Sequence, residues 1–342
     1  MNKHSQNHLH NHLQLPIVSV IIPAYNSAEY VCHAITSVSN QTIKNIEIIV
    51  VNDGSTDNTI EVLNNFQKKQ NFILLNQKNR GPGAARNHGM RVAKGQYICF
   101  LDADDRFLPE SIARRLDVFE NTPEISLVFT EVLRLDKSAE PGFPFLAQNQ
   151  FLEKFKPAIK THQQNTVIFN DKYFDCAMRF FPFILTSSVM IRKSVIESVG
   201  EFHSQWKGSE DIDYWLRISQ QGRVAYIDEP LTEWHHYLSN LTQFGNYDFY
   251  EDTISCYENI KNNVGIKQYL KPIINKRLAH YAFAGGYEAL SVQALGIARK
   301  FFFRACRYQP LSYKYWVYAL LSCMPKVIFY KLRALKQSTV TN

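Results

Sequence analysis

The sequence predicts an α/β fold in which helices cover both faces of a mostly parallel sheet. Apolar runs at residues 17–22, 46–51 and 97–101 have the length and composition of buried strands. Segments with helical spacing of apolar residues lie between these runs. Three carboxylates follow the run at 97–101, at the strand end where sheets of this kind bind ligands. From about residue 247 the spacing is helical, which predicts a helical C-terminal region.

The first strand is expected to end at Pro23, and Ser27 is placed to cap the helix that follows. The second strand ends in a turn cluster, where Asp53 or Ser55 could cap the second helix. The other predicted elements are a strand at 72–75, a helix opened by Gly81-Pro82-Gly83, the strand at 97–101, a helix at 109–119 and a strand at 126–130. Residues 131–192 are rich in aromatic residues but carry few helix or strand signals.

Composition and charge narrow the class of protein. The 342 residues are 45% hydrophobic and 20% charged, which is typical of one large globular domain with an appendage. The six cysteines form no C-x-x-C pair, so we expect a reducing compartment without a disulfide framework or a cysteine zinc site. Residues 1–15 are polar and lack the apolar core of a signal peptide, which predicts a disordered tail. After Glu288 there are nine Lys and Arg residues and no acidic residue, which predicts a local basic patch and argues against nucleic-acid binding.

Several common nucleotide and metal motifs are absent from the sequence. The glycines at 81, 83 and 89 do not make a dinucleotide fingerprint, and no phosphate-binding P-loop occurs. The segment 53–57 lacks the later Gly and Glu of a calcium loop.

Four linked segments carry a resemblance to a known family. They are VSVIIPAYN at 18–26, VNDGSTD at 51–57, GAARN at 83–87 and LDADD at 101–105. Their order and spacing resemble those of the family 2 glycosyltransferases, whose nucleotide-binding fold is called GT-A. The resemblance implies a GT-A domain at 16–245, with 131–192 as an insertion on the acceptor side and a basic helical region at 246–342. The aromatic residues of the insertion would stack on sugar rings or pack around loops.

In such enzymes the donor is a nucleotide-diphosphate sugar. Pro23 is expected to break strand pairing and open the backbone toward the base, beside Tyr25. The resemblance implies that Asp53 accepts the imide N–H of a uracil, and a helix-capping role is the alternative. Arg86, in the first turns of its helix, is placed to reach phosphate or base. A surface arginine is the alternative.

The carboxylates after the fourth strand suit Mg²⁺ or Mn²⁺ shared with substrate phosphates, and an acidic turn that caps a helix is the alternative. The resemblance implies that Asp104 ligates the cation and that Asp102 contacts ribose or a metal-bound water. Asp105 is expected to cap the next helix. A later histidine of the family approaches the diphosphate or the metal. We assign His236, with His235 and a purely structural histidine as alternatives.

The segment GSEDIDYWLR at 208–217 resembles the family's second acidic motif. The resemblance implies that Asp211 deprotonates the acceptor hydroxyl and that Glu210 orients the acceptor or the base. Ser209 can serve as N-cap, and favourable pairing of the acids with the helix dipole is the alternative. Asp213 is expected to face elsewhere. One base and one metal-assisted leaving group indicate a single displacement with inversion.

We therefore expect an inverting, metal-dependent glycosyltransferase that uses a nucleotide-diphosphate sugar, with UDP as the expected carrier. Its acceptor would be a hydroxyl of a glycan or a lipid-linked precursor in cell-surface polysaccharide synthesis. The alternatives are a sugar nucleotidyltransferase, whose glycine-rich basic loop is missing after the first strand, and a non-catalytic sugar-nucleotide-binding subunit. The acids Asp102, Asp104 and Asp211 argue against the latter.

We expect a cytoplasmic protein that contacts the inner face of the cell membrane through residues 299–342. The apolar stretch at 315–330 is too short to span a bilayer. Its flanking Lys and Arg residues and Trp316 favour an interfacial position on an anionic membrane. A packed helical subdomain with a solvated basic face is the alternative.

Overall fold

A computed structural model describes residues 15–136, 139–180, 184–206, 208–236, 247–262 and 265–324. The strands are β1 Val18–Ala24, β2 Ile46–Asp53, β3 Ile73–Gln77, β4 Tyr97–Phe100, β5 Arg106–Phe107, β6 Ile125–Asp136, β7 Ala139–Pro144, β8 Ile159–Gln163, β9 Thr166–Phe169, β10 Val189–Arg192 and β11 Arg223–Trp234. The helices are α1 Val31–Ser39, α2 Thr59–Gln67, α3 Pro82–Val92, α4 Ser111–Asn121, α5 Phe145–Gln148, α6 Phe151–Phe155, α7 Tyr173–Phe180, α8 Lys193–Val199, α9 Glu210–Ile218, α10 Asp248–Asn262, α11 Lys271–Ser291, α12 Leu295–Tyr308 and α13 Tyr313–Leu321. The predicted disordered tail lies almost entirely outside the described residues.

The strands form one sheet with the order β3-β2-β1-β4-β10-β6-β11-β9-β8, while β5 pairs with β11 and β7 with β6. Strands β1 to β4 are parallel to one another, and β6 is parallel to β11. β10 is antiparallel to both of its neighbours, β4 and β6, so those two neighbours run in the same direction. The predicted mostly parallel sheet is therefore confirmed, with the antiparallel β10 at its centre, and β5, β7, β8 and β9 add further antiparallel pairs.

β1 does not end at Pro23, contrary to prediction. It continues to Ala24, and Pro23 stays in register with Val51 of β2. The carbonyl of Ile21 accepts a hydrogen bond from Leu101 on the β4 side, and β4 has ended one residue earlier, at Phe100. Backbone groups of a strand alternate sides, so the missing N–H of Pro23 also faces the β4 side. Pro23 therefore removes no hydrogen bond between strands. The side of β1 that faces β4 is left without a paired strand beyond the end of β4.

Two predicted helix caps are wrong. Helix α1 begins at Val31 and not after Ser27. The carbonyl oxygen of Ser27 accepts a hydrogen bond from the N–H of Val31 at 3.0 Å, in the turn that precedes the helix. Neither Asp53 nor Ser55 caps α2, which begins only at Thr59. Both polar residues are thereby left at the carboxyl edge of the sheet.

Residues 131–192 are not an irregular insertion. They form β7 to β10 and α5 to α7, and β10 occupies the centre of the sheet. Phe151, Phe155, Phe169 and Tyr173 are buried and pack ring against ring, with centroids 4.5–6.1 Å apart. These aromatic residues therefore build a core. Phe181 and Phe183 of the same segment lie outside the described residues.

The C-terminal helices share a hydrophobic core with the sheet. Tyr257 of α10, Leu278 of α11 and Phe301 of α12 are buried in the same cluster as Ile49 and Phe100. Residues from 246 onward are thus not a separate folding unit in the described part of the chain. Among the described residues, no helix is both long and apolar enough to cross a membrane.

Candidate active site

The loops after β1 and β2 are tied together by the side chain of Asn26. Its Oδ1 accepts hydrogen bonds from the N–H groups of Thr56 and Asp57, at 2.8 and 3.3 Å. Its own N–H donates to Oγ of Ser55 over 3.0 Å. Asn26 has a φ of 48°, a left-handed conformation that asparagine tolerates better than most residues. Tyr25, a predicted donor residue, lies beside it and is 48% exposed, so its ring is accessible to a ligand.

Asp53 is buried at the end of β2, and both of its carboxylate oxygens accept hydrogen bonds. Oδ1 accepts from Nε2 of Gln77 at 2.8 Å and from the N–H of Arg80 at 2.9 Å, and Oδ2 accepts from the N–H of Gly81 at 2.8 Å. These bonds fix the loop that leads into α3. A carboxylate has about four lone-pair sites, so a further donor such as a base N–H can still be accepted. The base contact of Asp53 stays a prediction, and its anchoring of this loop was not predicted.

Arg86 lies at the centre of the site and is not a surface arginine. Its guanidinium is buried, with Nη2 2.8 Å from Oδ1 of Asp102 and Nη1 2.8 Å from Oε1 of Glu210. The cation also lies over the ring of Phe202, 5.6 Å from its centroid. Burial alone would lower the pKa of Arg86, but the charges of Asp102 and Glu210 outweigh it and raise the pKa. One cation therefore joins the two acidic motifs.

Gly83 makes room for this arrangement in the first turn of α3. A Cβ atom at this position would lie 3.0 Å from Cγ of Glu210 and 3.5 Å from Cβ of Phe202. Any side chain here would crowd Glu210, so the glycine of the GAARN segment permits the close approach of α3 and α9.

Asp102 and Asp104 follow β4 and remain partly exposed. Burial, together with the charge of Asp102, raises the pKa of Asp104 to about 6. Asp105 is buried and does not cap α4, contrary to prediction, because α4 begins only at Ser111. Its carboxylate accepts instead from Oγ of Ser187 and from a backbone N–H at the end of β11.

Helix α9 presents the predicted acceptor base. Burial and the charge of Asp211 raise the pKa of Glu210 to about 7, although Arg86 opposes this shift. Burial likewise raises the pKa of Asp211, which interacts electrostatically with Arg86 and Asp102. Oδ2 of Asp211 lies 3.5 Å from Oγ1 of Thr186. The residue as a whole is intermediate in exposure.

The other polar residues of this helix have structural roles. As predicted, Asp213 faces away from Arg86. It pairs with Arg217 at 2.7 Å and with His203 at 3.0 Å. Ser209 occupies the N-cap position of α9 but makes no side-chain capping bond. Its hydroxyl bonds Oγ1 of Thr253 in α10 at 2.5 Å instead, which ties the base helix to the C-terminal helices.

The two candidate histidines lie in different environments. His235 is buried, and its backbone N–H donates to Oδ1 of Asp105 over 3.2 Å. It also interacts electrostatically with Asp104. His236 has Nδ1 3.1 Å from Oδ1 of Asp136 and packs against Trp234. The structure thus places His235, and not the assigned His236, beside the acidic cluster. The remainder of the histidine segment, from 237, lies outside the described residues.

The acidic cluster is suited to a cation whose coordination the substrate completes. Within the described ranges, no group of three or more His, Cys, Asp or Glu side chains could hold a metal by itself. Asp102 and Asp104 nevertheless bring two like charges together, and a cation would relieve their repulsion. Hard oxygen ligands from phosphates and water would have to supply the other positions.

The predicted base and the predicted metal ligand belong to one electrostatic cluster. Asp104 and Asp211 each interact with Asp102, and Arg86 connects Asp102 to α9. Sequence reasoning missed the short 3₁₀ helix Thr186–Ser188, where Ser187 accepts from the N–H of Asp102 at 3.1 Å. No motif marks this segment in the sequence.

Comparisons with known proteins identify the family and the fold. The model for Glycosyl transferase family 2 matches residues 19–198, just over half of the chain. An uncharacterized glycosyltransferase of Methanocaldococcus jannaschii is 29% identical over 247 residues, which are 69% of this chain and 78% of that protein. Some other curated relatives are longer, and the chain spans about a third of their length.

Two solved structures share the fold. The S. aureus TarS 1-349 structure in complex with UDP-GlcNAc has a TM-score of 0.63 at 17% identity, covering 93% of this chain and 91% of that chain. The mannosyltransferase PcManGT from Pyrobaculum calidifontis, in complex with GDP-Man and Mn²⁺, has a TM-score of 0.55 at 15% identity, covering 94% and 87%.

Proposed function

This chain belongs to glycosyl transferase family 2 and has the GT-A fold, and we propose that it transfers a sugar with inversion from a nucleotide diphosphate to an acceptor hydroxyl. The proposed donor is a UDP-sugar, and the transfer depends on Mn²⁺ or Mg²⁺. The proposed acceptor is a glycan or a lipid-linked precursor in the synthesis of a cell-surface polysaccharide.

One observation carries the proposal. The buried Arg86 bonds both Asp102, beside the proposed metal ligand, and Glu210, beside the proposed base. Leaving group and nucleophile must meet at one anomeric carbon, so groups that act on each of them must face one another.

Asp211 supplies the base in this scheme. The acceptor oxygen attacks the anomeric carbon while the bond from that carbon to the β-phosphate oxygen breaks. The acceptor proton passes to the carboxylate of Asp211, and the nucleoside diphosphate leaves with the bonding electrons. A positioned carboxylate base contributes about 10²–10⁴-fold to such a step. Glu210 orients the base helix through Arg86.

The diphosphate end of the donor is assigned to the loops after β2 and β4. Asp104, assisted by His235, would hold the cation, and Asp102 would contact ribose or a bound water. When bound, the metal offsets the negative charge of the departing diphosphate. Asp53, Pro23 and Tyr25 are proposed to surround the base.

The donor assignment rests on the resemblance of the Asp53 segment and on what related folds bind. One of the two solved structures contains UDP-GlcNAc and the other GDP-Man and Mn²⁺. Those ligands support a nucleotide-sugar donor, and the choice of uracil depends on the free lone pair of Asp53.

Thermal melting against a panel of nucleotide sugars tests this proposal directly. We expect UDP-sugars to raise the melting temperature only with Mn²⁺ or Mg²⁺ present, and GDP-sugars to have a smaller effect. Equal stabilisation by all nucleotide sugars with and without EDTA would contradict it.

A cytoplasmic position on the inner face of the membrane also belongs to this proposal. Its support is the basic C-terminal region of the sequence. Lys326, Lys331, Arg333 and Lys336 of that region lie outside the described residues.

A further inference from the structure

Helix α13 turns an apolar face to solvent. Tyr313, Trp316, Val317 and Leu320 recur at helical spacing and are 84%, 41%, 46% and 61% exposed. Ala319 of the same helix is fully buried and packs in the core of the C-terminal helices. A stripe of this kind on the outside of a helix indicates a binding surface.

The stripe continues onto α12. Phe303 is 39% exposed, and its ring centroid lies 6.4 Å from that of Trp316. The indole Nε1 of Trp316 donates to the carbonyl of Pro310 at 2.8 Å. The only hydrogen-bond donor of this side chain is therefore satisfied within the chain, and its apolar ring is what it offers to a partner.

Basic side chains border the apolar stripe. Lys300 and Arg307 are exposed and lie three residues before and four residues after Phe303, on the same face of α12. Arg304 belongs to a different face, since it pairs with Glu251 and Glu258 of α10. The sequence contains no acidic residue after Glu288.

We propose that this docking face binds the surface of a membrane that contains anionic lipids. The docking face comprises six exposed residues, namely Lys300, Phe303, Arg307, Trp316, Val317 and Leu320. Apolar and aromatic side chains enter the boundary between headgroups and acyl chains, while Lys and Arg meet anionic headgroups. Charge complementarity selects this occupant, because a second copy of the same basic face would repel the first.

The fold connects the docking face to the catalytic helix. Helix α12 is joined to α10 by the Arg304 pairs, and α10 is joined to the start of α9 by the bond between Thr253 and Ser209. A membrane on the docking face would therefore hold Asp211 in a fixed orientation to the lipid surface. The docking deepens the membrane position that belongs to the proposed function, and this last step also rests on the lipid-linked acceptor proposed there.

Vesicle flotation of the full chain tests the proposal. The probes are vesicles of phosphatidylcholine alone and vesicles with about one-third phosphatidylglycerol. We expect the protein to float with the anionic vesicles and to be released by high salt. The double variants Trp316→Ser/Leu320→Ser and Lys300→Glu/Arg307→Glu should each reduce the bound fraction at least tenfold.

A matched control separates this surface from general charge. Lys68→Glu/Lys69→Glu reverses two exposed charges just after α2 and should float like the wild type. Asp211→Asn should also float normally, so failure of the catalytic proposal leaves this readout intact.

Three results would overturn the inference. They are a wild-type chain that does not float with anionic vesicles, docking-face variants that float like the wild type, and an oligomer that Trp316→Ser/Leu320→Ser converts to a monomer without any vesicle binding. The substituted side chains are exposed, so circular dichroism should show unchanged helix content.

Discussion

Arg86 connects two acidic motifs that are distant in sequence. Its partner Glu210 lies 124 positions away, yet their side chains meet at 2.8 Å. A buried cation between two carboxylates is stabilised by both, and removal of Arg86 would leave the two acids without a compensating charge. The proposed donor side and the proposed acceptor side of the site are therefore electrostatically coupled through one residue.

Glu210 should make stability depend on pH. Its pKa is about 7 in the folded protein against an ordinary 4.5, so between these values the folded state binds more protons than the unfolded state. The contribution of Glu210 to the free energy of unfolding is therefore fully present at low pH. It falls by on the order of 3 kcal/mol as the pH rises through 7. Urea unfolding of Glu210→Gln from about pH 5 to 7.5 should show a flatter decline than the wild type.

Glu61→Gln, which alters an exposed acid on α2, is the control and should keep the wild-type dependence. Identical slopes for Glu210→Gln and the wild type would show that Glu210 is ionised throughout.

Sequence motifs placed candidate residues at a strand end or a helix start, and the roles assigned to those residues stay predictions. Asp104 and Asp211 lie where the motifs put them, and their charges meet at Asp102. The histidine could not be chosen in this way. His235 and His236 are neighbours just after a strand, where successive side chains point to opposite sides. A shift of one residue in the motif alignment therefore changes which histidine is assigned to the acidic cluster.

At the scale of elements, the 3₁₀ helix Thr186–Ser188 positions the metal motif. Ser187 donates to Asp105 and accepts from the N–H of Asp102, and its carbonyl accepts from Thr232 of β11. Thr186 lies beside Asp211. This short element therefore contacts both acidic motifs.

Ser187→Ala should weaken Mn²⁺ binding about tenfold, because the backbone of Asp102 and the carboxylate of Asp105 lose a shared partner. Isothermal titration with Mn²⁺ and UDP measures this effect. Ser188→Ala is the matched control, since that hydroxyl bonds only the carbonyl of Leu185. Equal losses in the two variants would indicate a structural role for the whole element.

The elements that sequence reasoning missed share a physical cause. β10 has four residues and lies between two strands that are much earlier in the chain, so its burial comes from partners that local periodicity cannot reveal. The alternating strands and helices of the first half were predicted correctly. Most of their ends differ from the prediction by one or two residues.

At the scale of the whole molecule, the C-terminal helices complete the core of the catalytic sheet. Tyr257, Leu278 and Phe301 are buried in the cluster that also contains Ile49. The sequence analysis placed a boundary at 246 because helical spacing of apolar residues begins there. Packing crosses that boundary, and only the fold shows it.

A chain ending at residue 246 should not fold cooperatively, because removal of α10 to α12 exposes the apolar residues of α9 and α7 that pack against them. A chain ending at 324 keeps these helices and is the control. Thermal denaturation followed by circular dichroism distinguishes them. A cooperative transition in the shorter chain would show that the helices are dispensable for the core.

Hydrolysis of UDP-sugars with Mn²⁺, measured together with UDP binding, tests the central claim that metal ligand and base face one cleft. Asp104→Ala should lose both Mn²⁺-dependent UDP binding and hydrolysis. Asp211→Asn should bind UDP like the wild type but hydrolyse the donor about 10²–10⁴-fold more slowly. The account would be contradicted if Asp211→Asn hydrolysed the donor at the wild-type rate, or if Asp104→Ala kept unchanged Mn²⁺-dependent binding of UDP.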